Sequence, residues 1–152
     1  MPEFLSMIAC TVNSYTRLIP GAWAPTSASW GYENRTCALR VIGGSPKSQR
    51  VEYRIAAADI NPYIAFAASI GSGLWGIENR IEPTSPVEGN AYTRKFPARM
   101  ALPTTLWEAA QRLKASKPAR ALFGDKFVDH YAATREWEER ESRKAITDWQ
   151  LA

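Results

Sequence analysis

One carboxylate stands among cations in Arg50-Val-Glu52-Tyr-Arg54, with Asn34-Arg35 and Arg40 shortly upstream. Side chains on a strand alternate between faces. Arg50, Glu52 and Arg54 would share one side, leaving Val51, Tyr53 and Ile55 for the other. Three guanidiniums beside one carboxylate exceed what a simple ion pair uses. The surplus points to an anion, a phosphate or a substrate carboxylate, which planar guanidinium forks bind well. A surface ladder of cross-strand charge pairs would use the same residues with no ligand at all.

Holding these groups on one surface requires a hairpin. Residues 36–42 and 50–55 read as strands, joined by the turn Gly43-Gly-Ser-Pro-Lys47-Ser-Gln49. If the hairpin is symmetric about Pro46, Arg40 lies opposite Glu52. Before it, Phe4, Leu5, Ile8 and Val12 read as the end of a helix, and residues 13–29 as a loop broken by Pro20-Gly21 and Ala24-Pro25. After it, Asn61-Pro62 is a cap followed by proline at the first helical position. The helix it opens, to about Asn79, is apolar nearly all round (Tyr63, Ile64, Phe66, Ile70, Leu74, Ile77), a pattern that predicts burial. Gly71, Gly73 and Gly76 within it predict close approach to a neighbouring backbone.

Residues 83–103 read as an irregular connector rich in proline. Thr104 is expected to cap a short helix carrying Leu106, Trp107, Ala110 and Leu113. A turn of helix from Pro118 should stop at Gly124, followed from Asp125 by a long amphipathic helix. Phe127, Val128, Tyr131, Trp137 and Ile146 are its candidate contacts, with i,i+4 pairs Glu136–Arg140 and Glu139–Arg143 on its exposed side. The fold class is therefore α+β, a β hairpin or partial barrel sheet packed with helices.

The 152 residues suffice for one ordinary domain or a piece of a larger one. No apolar run approaches the eighteen or so residues of a membrane span, and no basic region precedes the apolar start, so neither a membrane anchor nor a secretory signal is expected. The net charge of +4 is scattered, without the basic stripe that nucleic acid would need. Cys10 and Cys37 lack metal-type spacing and fit buried thiols in a reducing cytoplasm, with a disulfide between them the alternative; the single histidine, His130, argues against a self-contained histidine metal site and fits a surface position.

Several blocks, in order and over nearly the whole chain, resemble the C-terminal part of the glutamine synthetase catalytic domain. They are Asn13-Ser-Tyr-Thr-Arg17-Leu-Ile-Pro-Gly21, Ala24-Pro25, Trp30-Gly-Tyr-Glu-Asn-Arg35-Thr36, Arg40, and Ser45-Pro-Lys47-Ser-Gln-Arg50-Val-Glu52-Tyr-Arg54. Asn61-Pro-Tyr63 and Gly73-Leu-Trp-Gly-Ile77 follow. The wording of Gly89-Asn-Ala-Tyr92 and Leu102-Pro103 is most similar to the bacterial branch that contains γ-glutamylpolyamine synthetases. The resemblance implies an ATP-dependent ligase that phosphorylates glutamate and lets ammonia or another amine displace the phosphate. It further implies Mg2+ or Mn2+ and a cytoplasmic homo-oligomer of the full-length form, with active sites between subunits.

By the same resemblance, Glu52 matches a metal-ligating glutamate and Arg54 the arginine on the γ-carboxylate and acyl phosphate. Arg17 matches the arginine that grips the amino-acid substrate, and Arg35 the one beside the transferred phosphoryl group. Arg40 and Arg50 match arginines on the ATP phosphates, and Lys47 the nucleotide-side lysine. Each residue also has a plain structural use: Arg17 could cap a loop, Lys47 could be a solvated turn residue, and Glu52 could neutralise Arg40. Trp and Tyr residues read as core or subunit contacts, with base stacking by Trp30 or Tyr32 the weaker alternative.

The family pattern also has an N-terminal β-grasp domain and upstream glutamates and a histidine that complete its metal sites. The expectation is that residues 1–152 form the C-terminal portion of such a catalytic domain and do not catalyse alone. Such a piece should expose partner surface and open sheet edges. Cys10, where proline is usual, Trp75 and the run Ala56-Ala-Ala-Asp59 depart from the pattern. A non-catalytic remnant that binds nucleotide or subunits is the alternative, and a basic helix-rich scaffold a more distant one.

Overall fold

The computed structural model describes residues 1–151. A helical layer is built from α1 (Leu5–Ile8), α4 (Leu106–Ala115), α5 (Lys117–Phe123) and α6 (Asp125–Ser142), with α2 (Val12–Thr16) and α3 (Pro62–Glu78) at its margins and a final turn, α7 (Asp148–Leu151). Beside it lies a three-stranded sheet in the order β1 (Trp30–Tyr32), β2 (Leu39–Ile42), β3 (Arg50–Tyr53). The core is helical: Leu5, Leu106, Leu113 and Val128 are fully buried, and Ile55 just beyond β3 is the sheet's deepest contribution. A satellite of Cys37, Val87 and Ala91, with Phe96 against it, lies under the connector. No described helix is long and apolar enough to cross a membrane.

The hairpin forms with the expected register, Arg40 opposite Glu52, though both strands are shorter than the sequence implies. A third strand was not anticipated. β1 pairs with β2 in parallel, Gly31 beside Arg40, so the sheet is mixed rather than a bare hairpin. Its return loop begins at Glu33, in the left-handed region at φ 49°, and is tied by Asn34. The Asn34 carboxamide accepts from the Thr36 N–H and hydroxyl and donates to the carbonyls of Val87 (2.9 Å) and Gly89 (2.8 Å). The connector thereby becomes a wall of the sheet; a Cβ on Gly31 would stand 2.7 Å from the Val87 carbonyl oxygen.

Several local expectations are corrected. The opening helix breaks after Ile8 and restarts as α2, inside the stretch read as loop, because Thr11 and Ser14 cap it reciprocally. Asn61 does cap α3, accepting from the N–H groups of Tyr63 and Ile64. The burial expected of α3 is not found: Ala65 and Ala68 are buried, whereas Tyr63, Phe66, Ile70, Leu74 and Ile77 are each more than half exposed. A helix apolar all round needs cover on every side, and the described residues cover one. Gly71 meets the Leu122 and Phe123 side chains rather than backbone, and Gly73 and Gly76 face open space. In α6, Val128 is buried and Phe127 and Tyr131 pack on the core, but Trp137 is exposed and Ile146 lies beyond the helix. Glu139 pairs with Arg143 as expected, while Glu136 turns to Lys114 and Gln111. Both thiols are buried and unpaired, and His130 is exposed.

The cap of α4 is Thr105, not Thr104. Its hydroxyl accepts from the Glu108 N–H (3.1 Å), while the Glu108 carboxylate accepts from the Thr104 N–H (2.9 Å) and from Arg112. Burial alone would raise the Glu108 carboxyl, yet the Thr104 N–H and the Arg112 guanidinium hold it below its ordinary value. A depressed folded-state value means stabilisation present above the ordinary carboxylate value and lost as pH falls through the depressed one. Glu108→Gln should therefore cost about 0.5–1 kcal/mol at pH 7, kept small by solvent screening, in urea unfolding. The difference should close as pH falls from the ordinary carboxylate range through that depressed value. An equal difference at pH 7 and pH 3 would refute the ionic part of this cap.

Candidate functional site

Glu52 stands between two guanidiniums on the hairpin face. Its Oε2 lies 3.3 Å from Arg40 and its Oε1 lies 3.5 Å from Arg54. Arg40 reaches back to Glu33 at 2.5 Å and holds that carboxyl below its usual range. Glu33 is the second carboxylate of the cluster. Its arrival depends on β1 running parallel to β2, so reading two strands alone could not place it.

Arg54 also donates to the Arg35 carbonyl, and Arg17 donates to the carbonyls of Arg54 (3.3 Å) and Ala56 (3.1 Å). Arg17, Arg35, Arg40, Arg54 and Glu52 are thus drawn to one region by main-chain and ionic contacts. Arg50 is exposed and donates to the Ser48 carbonyl (2.8 Å) rather than to Glu52, and Lys47 is exposed at the hairpin tip. The expected trio of guanidiniums around Glu52 is therefore a pair.

Arg40 and Arg54 have only 18% of their side-chain surface exposed; the Arg40 Nε is buried with no hydrogen-bond acceptor among the described residues, and the Arg54 Nε, also buried, meets only the Glu52 carboxylate at 3.5 Å, outside hydrogen-bond geometry. A buried, unpaired guanidinium N–H is costly. Four arginines against two carboxylates, with the buried Arg40 Nε–H unpaired, suit an anion with several acceptor oxygens. The same region suits a divalent cation poorly. Glu52 offers one hard oxygen ligand, but guanidiniums flank both its oxygens, and the described residues contain no cluster of three metal-ligating side chains.

Arg35 lines an open recess of about 470 Å³ with Tyr32, Glu33, Asn34, Pro86 and Glu88. Tyr32 is exposed there, whereas the Trp30 indole N–H is committed to the Thr84 carbonyl at 2.6 Å, so Trp30 braces the wall. A cleft of about 560 Å³ near Met1 and Trp75 contains none of the cluster residues.

The chain belongs to the glutamine synthetase family: the family model described as glutamine synthetase, catalytic domain, matches residues 1–152. It is 46% identical over 149 residues to a γ-glutamylethanolamide synthetase of Streptomyces coelicolor, covering 98% of this chain and 31% of that protein. It is 44% identical over 153 residues to type-1 glutamine synthetase 2 of Dictyostelium discoideum, covering 99% and 29% respectively. With the γ-glutamylputrescine synthetase of Escherichia coli, identity is 36% over 154 residues, 99% of this chain and 31% of that one. Among solved structures, a GmaS/ADP complex superposes with a TM-score of 0.80 at 28% identity, over 98% of this chain and 35% of that one. The chain spans about a third of the length of these relatives.

Proposed function

We propose that these residues form part of the reactant pocket of an ATP-dependent ligase that joins an amine to the γ-carboxyl of glutamate. The observation that carries the reading is the Arg40–Glu52–Arg54 cluster with the unpaired, buried Nε of Arg40. In this reaction glutamate takes the terminal phosphoryl group of ATP, giving γ-glutamyl phosphate. The amine nitrogen then attacks the acyl carbon as the bond to phosphate breaks. Phosphate leaves with the electron pair and takes up the proton the amine loses.

Phosphoryl transfer depends mainly on positioning and on neutralising charge at the transferring oxygens, and fixed guanidiniums supply both. Arg54 is assigned to the γ-carboxylate and acyl phosphate, Arg35 to the transferred phosphoryl group, and Arg17 to the amino-acid substrate. Arg40, Arg50 and Lys47 are assigned to the nucleotide phosphates. In the structure Arg40 is turned toward Glu33 and Glu52, so its assignment requires a phosphate to compete with those carboxylates. Mg2+ or Mn2+, with Glu52 as one ligand, belongs to this reading only with carboxylates from beyond the described residues, and no step is drawn through it. A cytoplasmic homo-oligomer extends the reading; the buried free thiols and the exposed face of α3 support it.

The absence of three clustered metal ligands among the described residues favours a second reading, a nucleotide-binding relative without turnover. Glutamate-dependent ADP release with ammonia, then with putrescine, tests both. Turnover is expected from the longest polypeptide encoded in frame with these residues, and none from residues 1–152 alone. Robust turnover by the 152 residues would overturn the expectation that metal ligands lie elsewhere; nucleotide binding without turnover in the longer form would establish the second reading.

A further inference from the structure

We propose that Glu33 sets nucleotide affinity: its carboxylate competes with nucleotide phosphate for Arg40 and turns out to solvent when phosphate arrives. Glu33 acts through Arg40 and is thus a positioning residue. The inference rests on the assignment of Arg40 to the nucleotide phosphates and deepens it.

Arg40 is shared unequally between two carboxylates. Its Nη2 lies 2.5 Å from Glu33, whereas its Nη1 lies 3.3 Å from Glu52. The shorter contact is a charge-assisted hydrogen bond, and it takes a guanidinium edge that a phosphate oxygen would also use. The competitor is charged at neutral pH, because Arg40 holds the Glu33 carboxyl below its usual range.

For phosphate to reach Arg40, one carboxylate must yield, and the structure distinguishes them. Glu52 projects from β3 directly opposite Arg40 and is also paired with Arg54. Glu33 stands just beyond β1 with 55% of its side-chain surface exposed, and Arg40 is its one ion-pair partner among the described residues. Its carboxylate can therefore return to water without leaving a charge buried. The backbone need not follow, since the Glu33 N–H donates to the Val41 carbonyl at 2.9 Å.

The recess of Arg35 supplies the approach. Glu33 lines that space and Arg40 does not, so the carboxylate separates the Arg40 guanidinium from it. The lining sets two carboxylates, Glu33 and Glu88, against one guanidinium, Arg35. An entering phosphate meets repulsion first and gains a second guanidinium only once Glu33 has turned away. Affinity for the phosphates is held down by a residue that touches none of the reacting atoms.

The test is ADP binding to the longest in-frame polypeptide, measured by calorimetry at fixed Mg2+, with adenosine as the phosphate-free control. Glu33→Gln should tighten ADP about fivefold, the upper range for one exposed ion pair, and leave adenosine unchanged. Glu33→Asn should do the same, because asparagine tolerates the left-handed backbone at φ 49°. Glu88→Gln removes the same charge from the recess but no partner of Arg40, and should fall well short of that gain. In an Arg40→Gln background, Glu33→Gln should change nothing. ADP affinity at or below wild type in both Glu33 variants overturns the inference while leaving the nucleotide assignment standing. So does a gain matched by Glu88→Gln, shared by adenosine or preserved without Arg40. Absence of ADP binding by the wild type overturns the assignment itself, and the inference with it.

Discussion

Arg54→Ala in the longest in-frame polypeptide should lower kcat/KM for glutamate-dependent ADP release by about 10²–10³, the usual effect of removing one fixed donor to developing charge. Arg54 ties the cluster together. Its Nε lies 3.5 Å from Glu52, its guanidinium also donates to the Arg35 carbonyl, and its own carbonyl receives Arg17. Removing it deletes a donor and loosens the loop that carries Arg35. Arg54→Lys should recover little, because an ammonium is a compact point charge without the planar fork. Urea unfolding separates the two effects. A midpoint close to wild type with activity lost places Arg54 among the groups that meet the reactants, whereas activity within threefold of wild type would remove it from them.

The hairpin was legible because two local signals agreed, alternation along residues 50–55 and a seven-residue turn that sets the register. Asn61-Pro62 was legible for the same reason, since a cap and its proline are local chemistry. β1 was not. A parallel neighbour normally returns through a dozen residues or more, and here the path is residues 33–38, a length that sequence reading assigns to an ordinary turn. Glu33 and the wall built by Asn34 were lost with it. Thr104 and Thr105 were indistinguishable by composition, and only geometry shows the cap hydroxyl on one and the N–H received by Glu108 on the other. For α3, pattern identified the helix but not its surroundings: the expected burial is not found, and Tyr63, Phe66, Ile70, Leu74 and Ile77 stay more than half exposed.

Leu113→Ala should destabilise the chain by about 3 kcal/mol, within the 2–5 kcal/mol range for deleting a fully buried leucine. Leu113 is 0% exposed on α4, the helix that packs against α6, α1 and the Pro2–Phe4 turn. Loss of its methyls leaves a cavity where those elements meet, and Ala109 and Ala119, also fully buried in this cluster, are too small to refill it. The effect should reach the arginine cluster, because the Ile8 carbonyl at the end of α1 accepts from the Ala57 N–H at 2.9 Å. That bond anchors the stretch after Arg54, whose Ala56 carbonyl also receives Arg17. Since a domain is stable by only about 5–15 kcal/mol, this one change should remove a large share of the margin. In urea the midpoint should fall with the slope unchanged, and hydrogen exchange at Ala57 should quicken with that of α4. Quickened exchange in α4 with Ala57 unaffected would show that the sheet side is held independently of the helical core.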